Sequence, residues 1–184
     1  MKIIKTAAGI LAAVIIVPLL VAAILPKEYT VKRSTVIERS AEEVFSYIKM
    51  LKNQDNYSVW ARMDPDMKRD FRGTDGTVGF VSAWESEKDD VGKGEQEIKK
   101  IDEGKRIDTE LRFFEPFESI SDAYMTTEQL ANGKTRVVWG FHGRMSYPMN
   151  LMMLFMDFDG MIGKDFETGL ADLKKILEAE KTGP

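Results

Sequence analysis

The chain has 184 residues, 26 basic and 30 acidic groups, one histidine and no cysteine. That length holds one domain, or one domain and an appendage; the missing cysteines and single histidine exclude disulfides, thiolate zinc sites, cysteine nucleophiles and multi-histidine metal centres. Charge is unevenly spread: Thr6 to Pro26 carries none, and setting aside Lys2 and Lys5 leaves 24 basic against 30 acidic groups, a body charge of −6, which argues against nucleic acid as a partner.

The charge-free run comes first in chain order. Its 21 residues, wound as a helix at about 1.5 Å per residue, reach about 31 Å, close to the roughly 30 Å of a bilayer's hydrocarbon core. Residues 1–26 therefore read as a signal-anchor crossing the membrane once, with Pro18 tolerated inside it. The competing reading is a cleaved signal peptide with Val21-Ala22-Ala23 at the cleavage site, although the apolar run exceeds the usual ~7–15 residues. Lys2 and Lys5 flank the front, and Lys27, Lys32, Arg33 and Arg39 the back, so the basic-residue rule is nearly balanced. A short basic head on a first hydrophobic segment favours a cytoplasmic N-terminus and an extracytoplasmic body, secreted if the segment is cleaved.

Residues 27–184 form the body. Tyr29 to Glu38 alternates and is rich in β-branched residues, which predicts a strand. Ser40 and Glu43 make a capping box, and Val44, Phe45 and Ile48 continue it as a helix to about Met50. Asn53 to Trp60 predicts a short helix or turn, broken at Asp64-Pro65-Asp66. A meander follows: strands over Met67–Arg72, Val78–Glu85, Glu95–Ile101, Arg106–Phe114, Ser119–Leu130 and Thr135–Met145. The turns between them carry Gly73, Gly76, Gly92, Gly94, Gly104 and the hairpin pair Asn132-Gly133. From Pro148 to about Glu180, Leu151, Leu154, Phe155, Phe158, Ile162, Phe166, Leu170, Leu173 and Leu177 step by three and four, one helical face. Such a rod would be about 50 Å long, so a bend is expected around Asp157, Gly160 and Gly163. The fold class is α+β: a curved antiparallel sheet of six to seven strands gripping a long C-terminal helix.

This order and its words resemble the START-like SRPBCC superfamily, the polyketide cyclase/dehydrase and lipid-transport group with a helix-grip fold. The matching words are Ser40-Ala41-Glu42-Glu43-Val44-Phe45, Trp60 before Asp64-Pro65, Gly76-Thr77-Val78-Gly79 leading to Trp84, Val91-Gly92-Lys93-Gly94, Leu111 to Phe117, Val138-Trp139-Gly140 and Ile162 to Leu170. The resemblance covers about Tyr29 to Glu180. It implies a cavity between sheet and helix that holds a hydrophobic or lipid-like molecule, with no fixed catalytic set and no cofactor or metal. On such a body the inward strand positions Phe80, Trp84, Phe113, Phe117, Trp139 and Phe141, with Trp60 and the helix residues Phe158, Ile162 and Phe166, are the candidate ligand-binding residues. The competing reading of each is ordinary core.

Six of the eleven methionines lie between Met145 and Met161, suited to a plastic cavity mouth, to a surface against a bilayer or subunit, or to simple gap filling. His142 alternates with Trp139 and Phe141 and is expected to point outward. Glu115 is expected on an exposed loop, and Ser40 as a helix cap. Gly73, Gly76 and Gly79 are turn glycines with no helix after them, not a phosphate loop. Three functions compete: a membrane-tethered binding domain for a hydrophobic small molecule or lipid, a protein-interaction module with a filled core, and a cyclase/dehydratase-type enzyme, which would need an acid or base inside the cavity. On the anchor reading, mass spectrometry of the mature protein shows the N-terminal segment retained; loss of roughly the first 23 residues would mean cleavage instead.

Overall fold

The computed structural model describes residues 2–179. Glu180, the expected end of the terminal helix, lies outside the described residues, as do the side chains of Lys2–Lys5, Ala7 and Ala8. Helix α1 (Lys2–Ile24) leads into strand β1 (Glu28–Ile37) and helix α2 (Ala41–Ile48). A 3-10 turn (Leu51–Asn53) and the short helices α3 (Gln54–Tyr57) and α4 (Val59–Met63) come next. The meander is β2 (Lys68–Arg72), β3 (Val81–Glu85), β4 (Lys93–Asp102), β5 (Arg106–Glu115), β6 (Ser119–Gln129) and β7 (Thr135–Arg144). A 3-10 segment (Met149–Leu154) precedes the final helix α5 (Phe158–Ala179). The seven strands form one sheet in the order β1-β7-β6-β5-β4-β3-β2, antiparallel throughout.

Local chemistry sets most of the boundaries. The capping box forms as expected: Ser40 Oγ accepts from the Glu43 amide at 3.3 Å, and Glu43 Oε2 accepts from the Ser40 amide at 3.0 Å. Val44, Phe45 and Ile48 are buried beneath it. The strand expected from Val78 starts only at Val81, because Gly76 and Gly79 hold φ of +75° and +87° and the Phe80 amide closes a turn onto the Thr77 carbonyl at 3.1 Å. Asn132 and Gly133 both take left-handed φ, 62° and 72°, inside a 3-10 turn, and the Leu130 amide closes the loop onto the Lys134 carbonyl at 2.7 Å.

The terminal helical region is interrupted, but not at its glycines. The interruption lies at Phe155–Asp157, and the part before it is 3-10. Asp157 Oδ1 accepts from the Gly160 amide at 2.8 Å, which caps the start of α5 and puts Gly160 inside it. Gly163 leaves room for the Arg33 side chain of β1, whose guanidinium donates to Asp159 at 3.0 Å and to Glu167 at 2.8 Å. This clasp ties α5 along β1.

The core lies between the concave sheet face, α5 and α2. Val31, Ile37, Ile98, Ile107, Met125, Val137 and Trp139 of the sheet meet Phe166, Leu170, Leu173 and Leu177 of α5. Helix α1 stands apart from it. Val14, Ile15, Ile16 and Val17 are consecutive and all more than half exposed, so its apolar surface runs all round. Among the described residues no helix is long and apolar enough to cross a membrane; the transmembrane expectation rests on the sequence, where the apolar run begins in the first turns of α1.

Where α5 crosses the sheet, a Cβ on Gly169 would meet Trp139 Cζ3 at 2.9 Å and the Tyr57 carbonyl oxygen at 3.1 Å. Overpacking of this kind costs about 1–3 kcal/mol, more than the roughly 0.5–1 kcal/mol a helix gains by losing an interior glycine. Gly169→Val is expected to destabilise the body, read as a lower urea midpoint at unchanged slope.

Candidate functional site

The register lays the inward side chains out in rows across the sheet. Nearest the open end run Trp84, Gly94, Phe113 and Ser119. The next row is Ser82, Gln96, Leu111 and Ser121. Then come Ile98, Thr109, Ala123, Phe141 and Val31, and after them Ile101, Ile107, Met125, Trp139 and Arg33. The inner face thus changes character along the strands. Toward the β4–β5 turn it carries large apolar groups that fill the core. Toward the β5–β6 turn the floor is mostly short or polar, and such side chains cannot reach the helix.

The result is an open recess, part of a connected space of about 1510 Å³ that also wraps round the sheet edge past the outward-facing Thr30, Asp122 and His142. A core filled throughout, one of the sequence readings, does not describe this molecule. Ser82, Gln96, Leu111, Ser121 and Ala123 floor the recess, and its mouth is edged by Phe117, Met149, Met152, Met156 and Met161. At its deep end stands an aromatic cluster. Trp139 stacks on Phe166 with centroids 4.5 Å apart, and Trp60 meets both edge-on at 6.3 and 5.6 Å. Tyr57 adds its edge to Trp139 at 5.6 Å. Gly94 is required opposite Trp84, because a Cβ there would lie 2.8 Å from Trp84 Cη2; the indole meets Phe113 edge-on at 5.9 Å.

Nine of the ten residues singled out from the sequence therefore border one space. Trp60, Trp84, Phe113, Phe117 and Trp139 line it, as do Phe141, Phe158, Ile162 and Phe166. Phe80 does not: it is fully buried and stacks on Phe71 at 6.2 Å, away from the recess. It still faces inward, because the Ile98 amide donates to its carbonyl at 3.0 Å and sets it beside Ile98 in the filled part of the core. His142 points outward, hydrogen-bonded to Thr30 at 3.0 Å and stacked on Tyr124 at 5.6 Å. Glu115 is exposed at the end of β5.

Sequence reasoning missed the polar half of the site. Asp55 of α3 and Arg69 of β2 both line the recess and pair at 2.9 Å. Burial raises the Asp55 pKa and Arg69 pulls it back down. Gln96 reaches Thr109 Oγ1 at 2.9 Å. Tyr57 is fully buried, its hydroxyl 3.5 Å from Met125 Sδ, and burial raises its pKa far above the usual phenol range. The legible signal was the alternation Ser119, Ser121, Ala123 in one strand: small residues on the face where neighbouring strands carry aromatics. Aromatic and methionine walls with a few hydrogen-bonding groups suit an amphipathic guest, held mainly by apolar burial and oriented by its polar end.

Comparison with known proteins agrees with this architecture. The family model described as polyketide cyclase/dehydrase and lipid transport matches residues 28–178. Norcoclaurine synthase of Thalictrum flavum, solved as a point mutant with a transition-state analogue, is similar at TM-score 0.62 and 8% identity, covering 86% of this chain and 99% of that one. A protein of Nitrosospira multiformis is similar at TM-score 0.55 and 16% identity, covering 84% and 100%. The Aha1 dimer of Colwellia psychrerythraea is similar at TM-score 0.54 and 14% identity, covering 82% and 96%. These likenesses concern the fold. No curated protein matches the sequence.

The Asp55–Arg69 pair gives a pH test. Arg69→Gln leaves a half-buried carboxylate without its cation, so the Asp55 pKa in the folded state rises further above its unfolded value. The folded variant then holds its proton more tightly than the unfolded chain. Its stability deficit at pH 7 should shrink as pH falls towards the ordinary carboxylate range near ~4. Urea denaturation at several pH values reads this, and adding Asp55→Asn should flatten the difference.

Proposed function

Because the chain belongs to the polyketide cyclase/dehydrase and lipid transport family, we propose that it is a membrane-tethered protein that binds a small hydrophobic or lipid-like molecule in the recess between its sheet and its C-terminal helix. The recess carries this reading. It opens into a connected space of about 1510 Å³ that continues past the mouth round the sheet edge, and the part between sheet and helix is a concave, mostly apolar site of the kind that holds small molecules. Its walls are aromatic and methionine side chains, and its polar groups, Gln96, Ser82, Ser121 and the Asp55–Arg69 pair, offer hydrogen bonds to a headgroup.

Tethering is supported by the character of α1. A helix that is apolar on every side is either buried in protein or placed in lipid. Here Ile10, Leu11, Val14, Ile15, Ile16, Val17, Leu20 and Ile24 are all more than half exposed, so protein does not cover it. With the uncharged alanines of its first turns, the run from Thr6 to Pro26 is long enough to cross a bilayer. On this reading the body lies on the extracytoplasmic side.

Purification of the full chain in mild detergent, solvent extraction and mass spectrometry should release a lipid-like molecule in near-stoichiometric amount. Ser121→Trp, which fills the floor of the recess, should reduce that amount severalfold while circular dichroism and thermal midpoint stay close to the parent's. A protein that is repeatedly empty, and whose solved recess is closed, would overturn the binding reading.

A further inference from the structure

The connection between α1 and the body is very short. Helix α1 ends at Ile24 and β1 begins at Glu28, with Leu25, Pro26 and Lys27 between them. At no more than about 3.6 Å per residue, this link cannot hold the start of β1 far from the end of the helix. It is also pinned. The Met145 amide donates to the Lys27 carbonyl at 2.8 Å. Asn150 Nδ2 donates to the Ala22 carbonyl at 2.7 Å, and to those of Leu25 and Pro26 at 3.3 and 3.4 Å. Asn150 and Ala22 are both fully buried. One side-chain amide thus holds the Ala22 carbonyl of α1 and two carbonyls of the link, and fastens them to the methionine-rich 3-10 segment.

That segment is part of the mouth of the recess, and the start of β1 pairs with the end of β7 at the same end of the sheet. The surface around it is apolar and unusually exposed. Phe155 is 84% exposed, Phe117 73% and Leu154 54%, with Tyr147 and Met149 also exposed. Large apolar side chains exposed together along one segment mark a surface that something covers. The all-round apolar surface of α1 runs down to this rim, and the pinned link gives the rim no freedom to move away. Asn150 Oδ1 is the one buried side-chain polar atom among the described residues without a hydrogen-bond partner. Burying an amide half-satisfied is costly, and apolar packing at that position would avoid the cost, so the donor side of Asn150 has a task.

We propose that the mouth of the recess is seated directly on the bilayer, that Asn150 is the positioning residue that holds it there, and that the guest passes between recess and membrane without crossing water. This rests on the reading of α1 as a membrane span. The covering surface is lipid, because the only neighbour that a span ending at Pro26 guarantees to this rim is the bilayer it has just left.

The native chain has no cysteine, so single cysteines can be labelled cleanly. Phe155→Cys places a bimane on the rim. Lys105→Cys places one on the exposed turn between β4 and β5, at the far end of the sheet. The full-length proteins are reconstituted in phosphatidylcholine vesicles containing a lipid with a nitroxide high on its acyl chain. Quenching should be severalfold stronger at 155 than at 105. Adding Asn150→Ala should bring quenching at 155 down towards that at 105, while the protein still floats with the vesicles. Equal quenching at both sites in floating protein would overturn the seated mouth, and unchanged quenching in the Asn150→Ala protein would overturn the role of Asn150. If that variant does not fold, Phe117→Ser with Leu154→Ser replaces it: transfer of a fluorescent fatty acid from the vesicles into the recess should slow severalfold, and an unchanged rate would overturn direct passage. Failure to float at all would instead overturn the span.

Discussion

A seven-stranded sheet curled over one helix has more inner face than the helix can cover. At about 4.8 Å between strands the sheet spans roughly 30 Å, while a helix with its side chains is about 10 Å across. Helix α5 lies along β1 and meets β7 through the Trp139–Phe166 stack. Helix α2 covers β6 at the closed end. What stays uncovered is the inner face of β3 to β6 toward the mouth, and there the chain carries Ser82, Gln96, Leu111 and Ser121. Had those positions been filled like Ile98, Ile107 and Met125, the floor would have risen to meet the lid. The recess is the consequence of a geometric mismatch that the side chains decline to fill.

The same sheet separates its two faces sharply. On the convex side Arg112 is paired with Glu95, Glu97 and Glu110, and Arg72 shares Glu95. Apart from Arg72 these groups are largely buried; desolvation pushes the carboxylates up, and the Arg112 guanidinium still holds Glu95 and Glu97 below their usual range, so attraction and desolvation largely offset each other. The single histidine also sits on this side, on Tyr124. The concave side has one ion pair at the recess, Asp55 with Arg69. Low dielectric strengthens that attraction but penalises both charges for leaving water, which makes the pair a polar landmark in an apolar site.

Much of this was legible in the sequence wherever the signal is local. The Ser40/Glu43 box starts a helix by satisfying orphan amides within four residues, so nothing distant can disguise it. Alternation in β5 to β7 placed Trp139, Phe141 and Phe113 inward and His142 outward, because a pleated strand leaves no third choice. Phe80 also faces inward, yet it sits beside Ile98 in the filled part of the core, and alternation along one strand does not tell core from cavity wall. The bend expected around Asp157, Gly160 and Gly163 falls at the first of these, where Asp157 caps α5, while Gly163 inside the helix serves the packing of Arg33. The hollow itself has no local signature. An empty volume is a relation between surfaces far apart in the chain, and the serines and alanine that make it look unremarkable one at a time. Asp55 and Arg69 were missed for the same reason, since only the fold brings α3 against β2.

Two features that look independent in the sequence, the apolar N-terminal run and the methionine cluster, present one physical problem. An α1 that is apolar on all sides cannot remain in water, and a rim carrying Phe117, Leu154 and Phe155 is an association hazard if left in water. Hiding α1 in a bilayer while leaving the rim wet would solve only half of it. Because Asn150 and the three-residue link fasten the rim to the end of α1, any membrane that accepts the helix also meets the rim. On the proposed seating, covering both would lower the free energy twice with one surface and would open the recess toward the phase in which a lipid-like guest dissolves. Such a guest would never have to expose its apolar surface to water, the step that would otherwise dominate the barrier to loading.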